Sequence, residues 1–203
     1  MKTNINQKTS GFTLIEMVGV LAIIAVLAAI LIPKIFAAIN ESRLNNAVVS
    51  ANTAKTAALG YFGKYSKFGT LAGADMTTNM LTWDRTVLIP EGYLEKPFET
   101  RVATTNRVQM VAASTATTAA SASNSAYNLD NNTTVANDAA GRWVIQAHLG
   151  QVSIEDAIEI NNRIDGDLDK VARGSTAENL LGRVKYATPS SGLTEVYIYL
   201  AHK

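Results

Sequence analysis

Apolar residues are concentrated in one run near the start of the chain. Residues 12–32 are predominantly apolar, carry a single charge at Glu16, and are followed directly by Pro33. As a helix, these 21 residues would span about 31 Å, which matches the hydrocarbon core of a bilayer. The pattern therefore predicts a transmembrane helical segment over residues 12–33.

Beyond Pro33 the apolar positions change to helical spacing. Within residues 34–62 they recur at mostly three- and four-residue steps, at Phe36, Leu44, Val48, Ala51, Ala58 and Phe62. Polar residues occupy the positions between them. This spacing is typical of an amphipathic helix, so we predict that the transmembrane segment continues as one helix of about 50 residues, ending near Gly60 and Gly63.

Residues 63–203, which we predict to be a globular head, combine strand and helix patterns. Short apolar runs predict four strands, at residues 108–113, 142–149, 183–186 and 196–200. Ser153 and Asp156 form a capping-box pattern that predicts a short helix, and further helical turns are predicted at 78–87 and 175–181. We therefore predict an α+β fold in which the long N-terminal helix packs on a small antiparallel sheet.

Residues 114–138 differ in composition from the rest of the head. Serine, threonine, alanine and asparagine dominate this segment. Such a segment has too little apolar surface to offset the entropy lost when it becomes ordered. We therefore predict a mobile surface loop at about 114–138.

The residues around the apolar run add a processing signal. Lys2 and Lys8 precede the run, Gly11 and Phe12 stand at its start, an acid follows in the first turns, and a proline closes it. A secretory signal peptide carries its cleavage site after the apolar region, whereas cleavage at Gly11 would leave the anchor on the protein. Over residues 8–45 this combination resembles the N-terminal signature of type IV pilins and type II secretion pseudopilins.

The resemblance implies a processing route and a location. A prepilin peptidase would remove the leader, residues 1–11, by cutting between Gly11 and Phe12 on the cytoplasmic face, and a methyltransferase would N-methylate Phe12. The chain would cross the bacterial inner membrane once with its head outside the cytoplasm, and would then enter a filament in the periplasm or at the cell surface. The implied partners are the lipid bilayer, an inner-membrane assembly platform and further copies of the chain. The implied fold is the pilin-type roll.

Glu16 has two interpretations. An acid in a lipid-facing helix costs up to about 3 kcal/mol at the bilayer centre and less near an end. The carboxylate could reach the headgroups from the first turns of the helix, where the helix dipole favours an anion. The resemblance implies instead that Glu16 pairs with the Phe12 amine of a neighbouring subunit, and the surrounding motif favours this assembly role.

Pro33 is the second residue with an implied assembly role. It removes the backbone donor for the carbonyl of Ala29, so it can kink or loosen the helix. In the family that the chain resembles, this position lies where the helix can melt inside a fibre. One departure from the pattern is Ala25, where many family members have a glycine.

The remaining chemistry is sparse. Asp165, Asp167 and Asp169 alternate around a glycine and could bind calcium, but no glutamate follows at EF-hand spacing, and a solvated turn is the simpler interpretation. No other cofactor is expected. His148 and His202 have no partner set recognisable in the sequence, and no nucleophile motif is present, so we expect no enzymatic activity. A net charge of +1 provides no basic surface of the kind that binds nucleic acid, so we expect no nucleic-acid partner.

Three functions remain open at this point. The first is a structural subunit of a type IV pilus-like or type II secretion pseudopilus filament. The alternatives are a single-pass membrane-anchored binding protein that does not polymerise and a minor tip subunit. Cysteine is absent, so the chain cannot form the C-terminal disulfide loop of many pilins, which favours pseudopilin-like or other disulfide-free members. The presence of Glu16 favours a subunit of the filament body.

Overall fold

The computed structural model describes residues 11–130, 137–166 and 177–203. It divides into an N-terminal unit, residues 1–41, and a C-terminal unit, residues 42–203. Helix α1 (Leu14–Tyr65) contributes to both units. The predicted α+β class is confirmed, because the chain combines this long apolar helix with a small antiparallel sheet.

In the C-terminal unit, α1 buries one stripe of mostly small side chains. The stripe recurs at three- and four-residue steps, through Leu44, Ala47, Ala51, Ala54, Ala58 and Tyr61. These side chains pack in one core cluster with buried side chains of the sheet. The helix runs on to Tyr65, past the glycines near which we expected it to end, and the rings of Tyr61 and Tyr65 pack 4.8 Å apart on this last turn. The chain then leaves the helix at Ser66, whose φ is 55°.

Four antiparallel strands form one sheet in the order β1-β2-β4-β3. Their bounds are β1 Thr105–Ala112, β2 Trp143–Ser153, β3 Val184–Tyr186 and β4 Leu193–His202. All four predicted strands are found, and β1, β2 and β4 are longer than the apolar runs that predicted them. The pairing of β2 with β4 is irregular between Leu149 and Val152, where Gln151 has a φ of 60°.

Helix α2 (Ile154–Ile164) follows β2 directly and is capped as predicted. The Ser153 hydroxyl accepts a hydrogen bond from the Asp156 backbone N–H at 3.2 Å. The Asp156 carboxylate pairs with Arg43 of α1 at 3.1 Å. This ion pair joins α2 to the part of α1 that belongs to the C-terminal unit.

The core lies on one face of the sheet, and the other face is partly covered by the serine- and threonine-rich segment. No helix or strand is present in its described residues, but Tyr127 is fully buried against Val111 and Val144. Residues 125–128 are therefore buried, whereas 114–124 are exposed or half-buried, and the mobile loop at about 114–138 stays a prediction. Residues 131–136 lie outside the described part of the chain.

A single lysine anchors that segment. Lys185 of β3 is buried, and its ammonium donates to the carbonyl oxygens of Ser121 at 2.9 Å, of Ala126 at 3.0 Å and of Asn124. The ammonium also lies 4.2 Å from the centre of the Tyr127 ring. Burial lowers the pKa of Lys185 to about 7. Hydrogen bonds to one lysine thus hold residues 121–126 against β3, in a segment whose composition offers few apolar contacts.

Two predicted helical turns are different in the structure. In and just beyond residues 78–87 there is an isolated bridge from Met80 to β1 and a single π-helical turn, Asp84–Leu88. Within 175–181, residues 175 and 176 lie outside the described residues, and Asn179 forms an isolated bridge with Tyr186. Both segments therefore pair with an edge strand of the sheet, β1 or β3. Helical spacing in the sequence does not indicate such contacts between distant residues.

Candidate processing and assembly site

The junction before α1 is open. Residues 11–13 precede the first helical residue, and Phe12 is 79% exposed. A Cβ placed on Gly11 would have no described atom within 4 Å. This non-helical stretch is therefore accessible to a processing enzyme, which is the role that the sequence predicts for Gly11 and Phe12.

A reciprocal capping box begins α1. The Thr13 backbone N–H donates to Oε2 of Glu16 at 2.8 Å, and the Thr13 hydroxyl donates to the same oxygen at 2.7 Å. In return, the Glu16 N–H approaches the Thr13 hydroxyl oxygen at 3.3 Å. Each residue thus satisfies a backbone donor that the first helical turn would leave unpaired.

The capping box gives Glu16 a role that sequence reasoning missed. Thr13 and Glu16 have the Thr-x-x-Glu spacing that marks a helix start before an apolar run, so the signal was present. The box fixes one carboxylate oxygen at the positive end of the helix, where the dipole favours an anion.

The surface of α1 in the N-terminal unit is almost wholly apolar. Its exposed large side chains include Leu14, Ile15, Leu21, Ile23, Val26, Leu27, Ile30 and Ile32. Among the described residues, α1 is the one helix long and apolar enough to cross a membrane, with a mean hydropathy of 2.9 over its most apolar window. The helix continues through Pro33. Glu16 is thus the only charge on an exposed apolar surface that extends to Ile32.

The calcium candidates are only partly described. Asp165 follows α2, and its Oδ2 accepts the backbone N–H groups of Arg183 and Val184 at 2.9 Å each. This carboxylate therefore caps the start of edge strand β3. Asp167 and Asp169 lie outside the described residues. Within the described ranges no group of three or more histidine, aspartate or glutamate side chains is arranged to hold a metal ion.

The two histidines have partners that the sequence did not show. His148 contacts Arg107 and Glu195, which are 41 and 47 residues away in the chain. Nδ1 of His202 and the Tyr199 hydroxyl form a hydrogen bond of 2.5 Å. Neither set, as described, includes a serine, threonine or cysteine side chain. Because these partners are distant in sequence, no local spacing could have indicated the His148 cluster.

Comparison with known proteins identifies the N-terminal part of the chain. The family model described as the prokaryotic N-terminal methylation motif matches residues 6–32. No curated protein and no solved structure matches the chain. The matched motif is the signature of type IV pilins and pseudopilins, so the predicted resemblance is confirmed.

The motif and the helix together indicate the kind of protein. The matched residues support a pilin-like protein processed as a prepilin, and the signature implies cleavage by a prepilin peptidase and assembly into pilus-type structures. It is a structural motif rather than an enzymatic one. The long exposed apolar helix fits a membrane-anchored pilin.

Proposed function

We propose that the protein is a structural subunit of a type IV pilus-like or type II secretion pseudopilus filament. The chain would be cut between Gly11 and Phe12, methylated at Phe12, and assembled through α1. The observation that carries this proposal is the position of Glu16: one carboxylate is fixed at the start of an apolar stretch of α1 that carries no other charge as far as Ile32, four residues from the new terminus.

The capping box supports a pairing role for Glu16. Both Thr13 donors bind Oε2, and no hydrogen bond to Oε1 is found among the described residues. Cleavage after Gly11 would leave the Thr13 amide intact, because Phe12 would be the terminal residue. Oε1 could therefore accept the Phe12 ammonium of a neighbouring subunit while the box holds the carboxylate in place. N-methylation would keep that amine cationic.

The apolar surface of α1 supports repeated association. A contact in which one face of a helix packs on a different face of the helix in the next copy is heterologous. Such contacts form filaments when they do not close into a ring. In lipid, an unpaired Glu16 carboxylate would be costly, so pairing favours subunits in the correct register. Pro33 would loosen the helix by leaving the Ala29 carbonyl without its backbone donor.

The proposal also sets the partners and the location. A peptidase and a methyltransferase would act on the leader junction, and an inner-membrane platform would extract the anchored subunit. The head would lie outside the cytoplasm, and the finished filament would lie in the periplasm or at the cell surface. Calcium binding by Asp165 with Asp167 and Asp169 is a further proposal that metal titration would test. No catalytic activity is assigned to the chain.

Substitutions at the start of α1 test the assembly role. Glu16→Gln keeps an oxygen that can accept the Thr13 bonds but removes the charge, whereas Thr13→Val removes the hydroxyl and keeps the charge. If charge pairing drives assembly, Glu16→Gln and Glu16→Ala should both insert into membranes at the wild-type level and yield no sheared filaments. Thr13→Val should still assemble. Wild-type filament yield from both Glu16 variants would overturn the proposal.

One observation favours the anchored binding protein as a second candidate. A groove of about 410 Å³ lies between α1 and residues 93–99, with Val49, Thr53 and Tyr93 among its lining residues. A binding protein that never polymerises would use such a groove and would not need a charge at position 16. Its function in membranes would therefore survive Glu16→Gln, and it would be absent from sheared filaments.

A further inference from the structure

His148 of β2 joins three strands through its two ring nitrogens. Arg107 of β1 donates from Nε to His148 Nδ1 at 3.0 Å, and His148 Nε2 lies 2.6 Å from Oε2 of Glu195 on β4. The His148 side chain is only 4% exposed. Because Nδ1 must offer a lone pair to the Arg107 N–H, the ring is neutral and carries its proton on Nε2.

The same cluster holds the irregular part of the sheet. Oε1 of Glu195 accepts both the backbone N–H and the side-chain amide of Gln151 at 3.3 Å, and Gln151 has positive φ. The Tyr197 ring packs on His148 with the ring centres 4.7 Å apart. The titratable and charged side chains that face His148 among the described residues are Arg107 on β1 and Glu195 and Tyr197 on β4.

We propose that His148 is an acid-sensitive latch that holds the end of edge strand β1 to β2 and β4. Protonation of Nδ1 from solvent would place an N–H against the Nε–H of Arg107 and bring two cations together. The Arg107 contact would be lost, and the side chain would turn to solvent. The strand end at 105–107 would then loosen together with the Gly150–Gln151 irregularity.

The electrostatics agree with this direction. Burial lowers the pKa of His148 below its ordinary 6.5, the nearby Arg107 lowers it further, and Glu195 opposes both effects. A lowered pKa means that the unfolded or opened chain binds the proton more readily than the latched state. The latch is therefore complete above pH 6.5 and is lost as pH falls through the lowered pKa of the folded protein.

The direct test uses the full chain in detergent micelles with ¹⁵N-labelled histidine. The sequence has only two histidines, so each titration can be assigned with a His202→Gln variant. We expect His148 to be the Nε2-protonated tautomer at neutral pH and to titrate with a midpoint below pH 6.5. The Arg107→Met substitution should raise that titration midpoint. An Nδ1-protonated tautomer, a midpoint at or above 6.5, or an unchanged midpoint in Arg107→Met would overturn the latch.

Hydrogen exchange tests the structural consequence. After correction for intrinsic rates, amides in 104–108 and 148–152 should exchange faster as pH falls from 6.5 to the lowered folded pKa of His148, by up to about tenfold per pH unit, because only the opened state binds the proton in that range. Below the folded pKa the increase should level off, because both states then bind the proton. His148→Gln can keep both hydrogen bonds without titrating, so its protection should not change with pH. His202→Gln should retain the wild-type acid response. Equal acid responses in wild type and His148→Gln would contradict the proposal.

Discussion

Asp84 is a buried carboxylate that joins three parts of the C-terminal unit. It is fully buried in the π-helical turn, where Oδ2 accepts the Phe98 N–H at 3.0 Å and Oδ1 accepts the Val108 N–H at 3.3 Å. The second bond caps the outer side of edge strand β1. Asp84→Ala would leave both buried donors without an acceptor.

The expected cost follows from those two donors. A buried N–H without a partner costs about 1–3 kcal/mol, so Asp84→Ala should lower the free energy of unfolding by about 2–6 kcal/mol. Asp84→Asn keeps one acceptor oxygen and should lose about half of that, about 1–3 kcal/mol. The predicted order of stability is therefore wild type, then the asparagine variant, then the alanine variant.

Urea unfolding of the full chain in detergent measures this order. Trp83 and Trp143 are both buried and report unfolding by fluorescence. Asp75→Ala is the matched control, because Asp75 is an exposed acid that pairs with Lys67 at 3.1 Å on the surface. The Asp75→Ala substitution should change the urea unfolding midpoint little, because exposed ion pairs contribute little to stability. If Asp84→Ala were no less stable than Asp75→Ala, the argument from buried donors would be refuted.

Two further predictions concern the turn that follows α1. The Ala72 N–H, which donates to Glu91 at 2.6 Å, and the Tyr65 hydroxyl lower the pKa of Glu91. The Glu91 carboxylate therefore stabilises the fold above pH 4.5, its ordinary pKa, and this stabilisation is lost as pH falls through the lowered pKa of the folded protein. Acid should consequently lower the thermal unfolding midpoint of wild type more than that of Glu91→Gln. Gly73→Ala should cost about 1–3 kcal/mol in urea unfolding, because φ is +69° and the new Cβ would lie 2.5 Å from Tyr65. Gly92→Ala, at φ +78° with open space around it, should cost less, and equal losses would contradict the steric argument.

Elements with strong periodicity were predictable from the sequence. The continuous apolar run and the helical spacing after it predict α1, and short apolar runs predict the four strands. These patterns are local, because each residue needs only its neighbours in the chain to define a face. The end of α1 was not predictable in the same way, since aromatic packing of Tyr61 and Tyr65 outweighs the helix-breaking tendency of Gly60 and Gly63.

Polar contacts between distant residues were not predictable. The bonds from Lys185 to the 121–126 segment span about 60 residues, and no pattern in that segment indicates a buried cation. His148 likewise depends on Arg107 and Glu195 from other strands. The Thr13–Glu16 box is different, because its partners are three residues apart and the signal was readable.

The N-terminus of the protein in its assembled form tests the central claim most directly. Material sheared from cells and material kept in membranes would be compared by mass spectrometry. The account predicts that sheared filaments contain a chain that starts at methylated Phe12. A chain that keeps Met1 and is found only in membranes would contradict processing and assembly together.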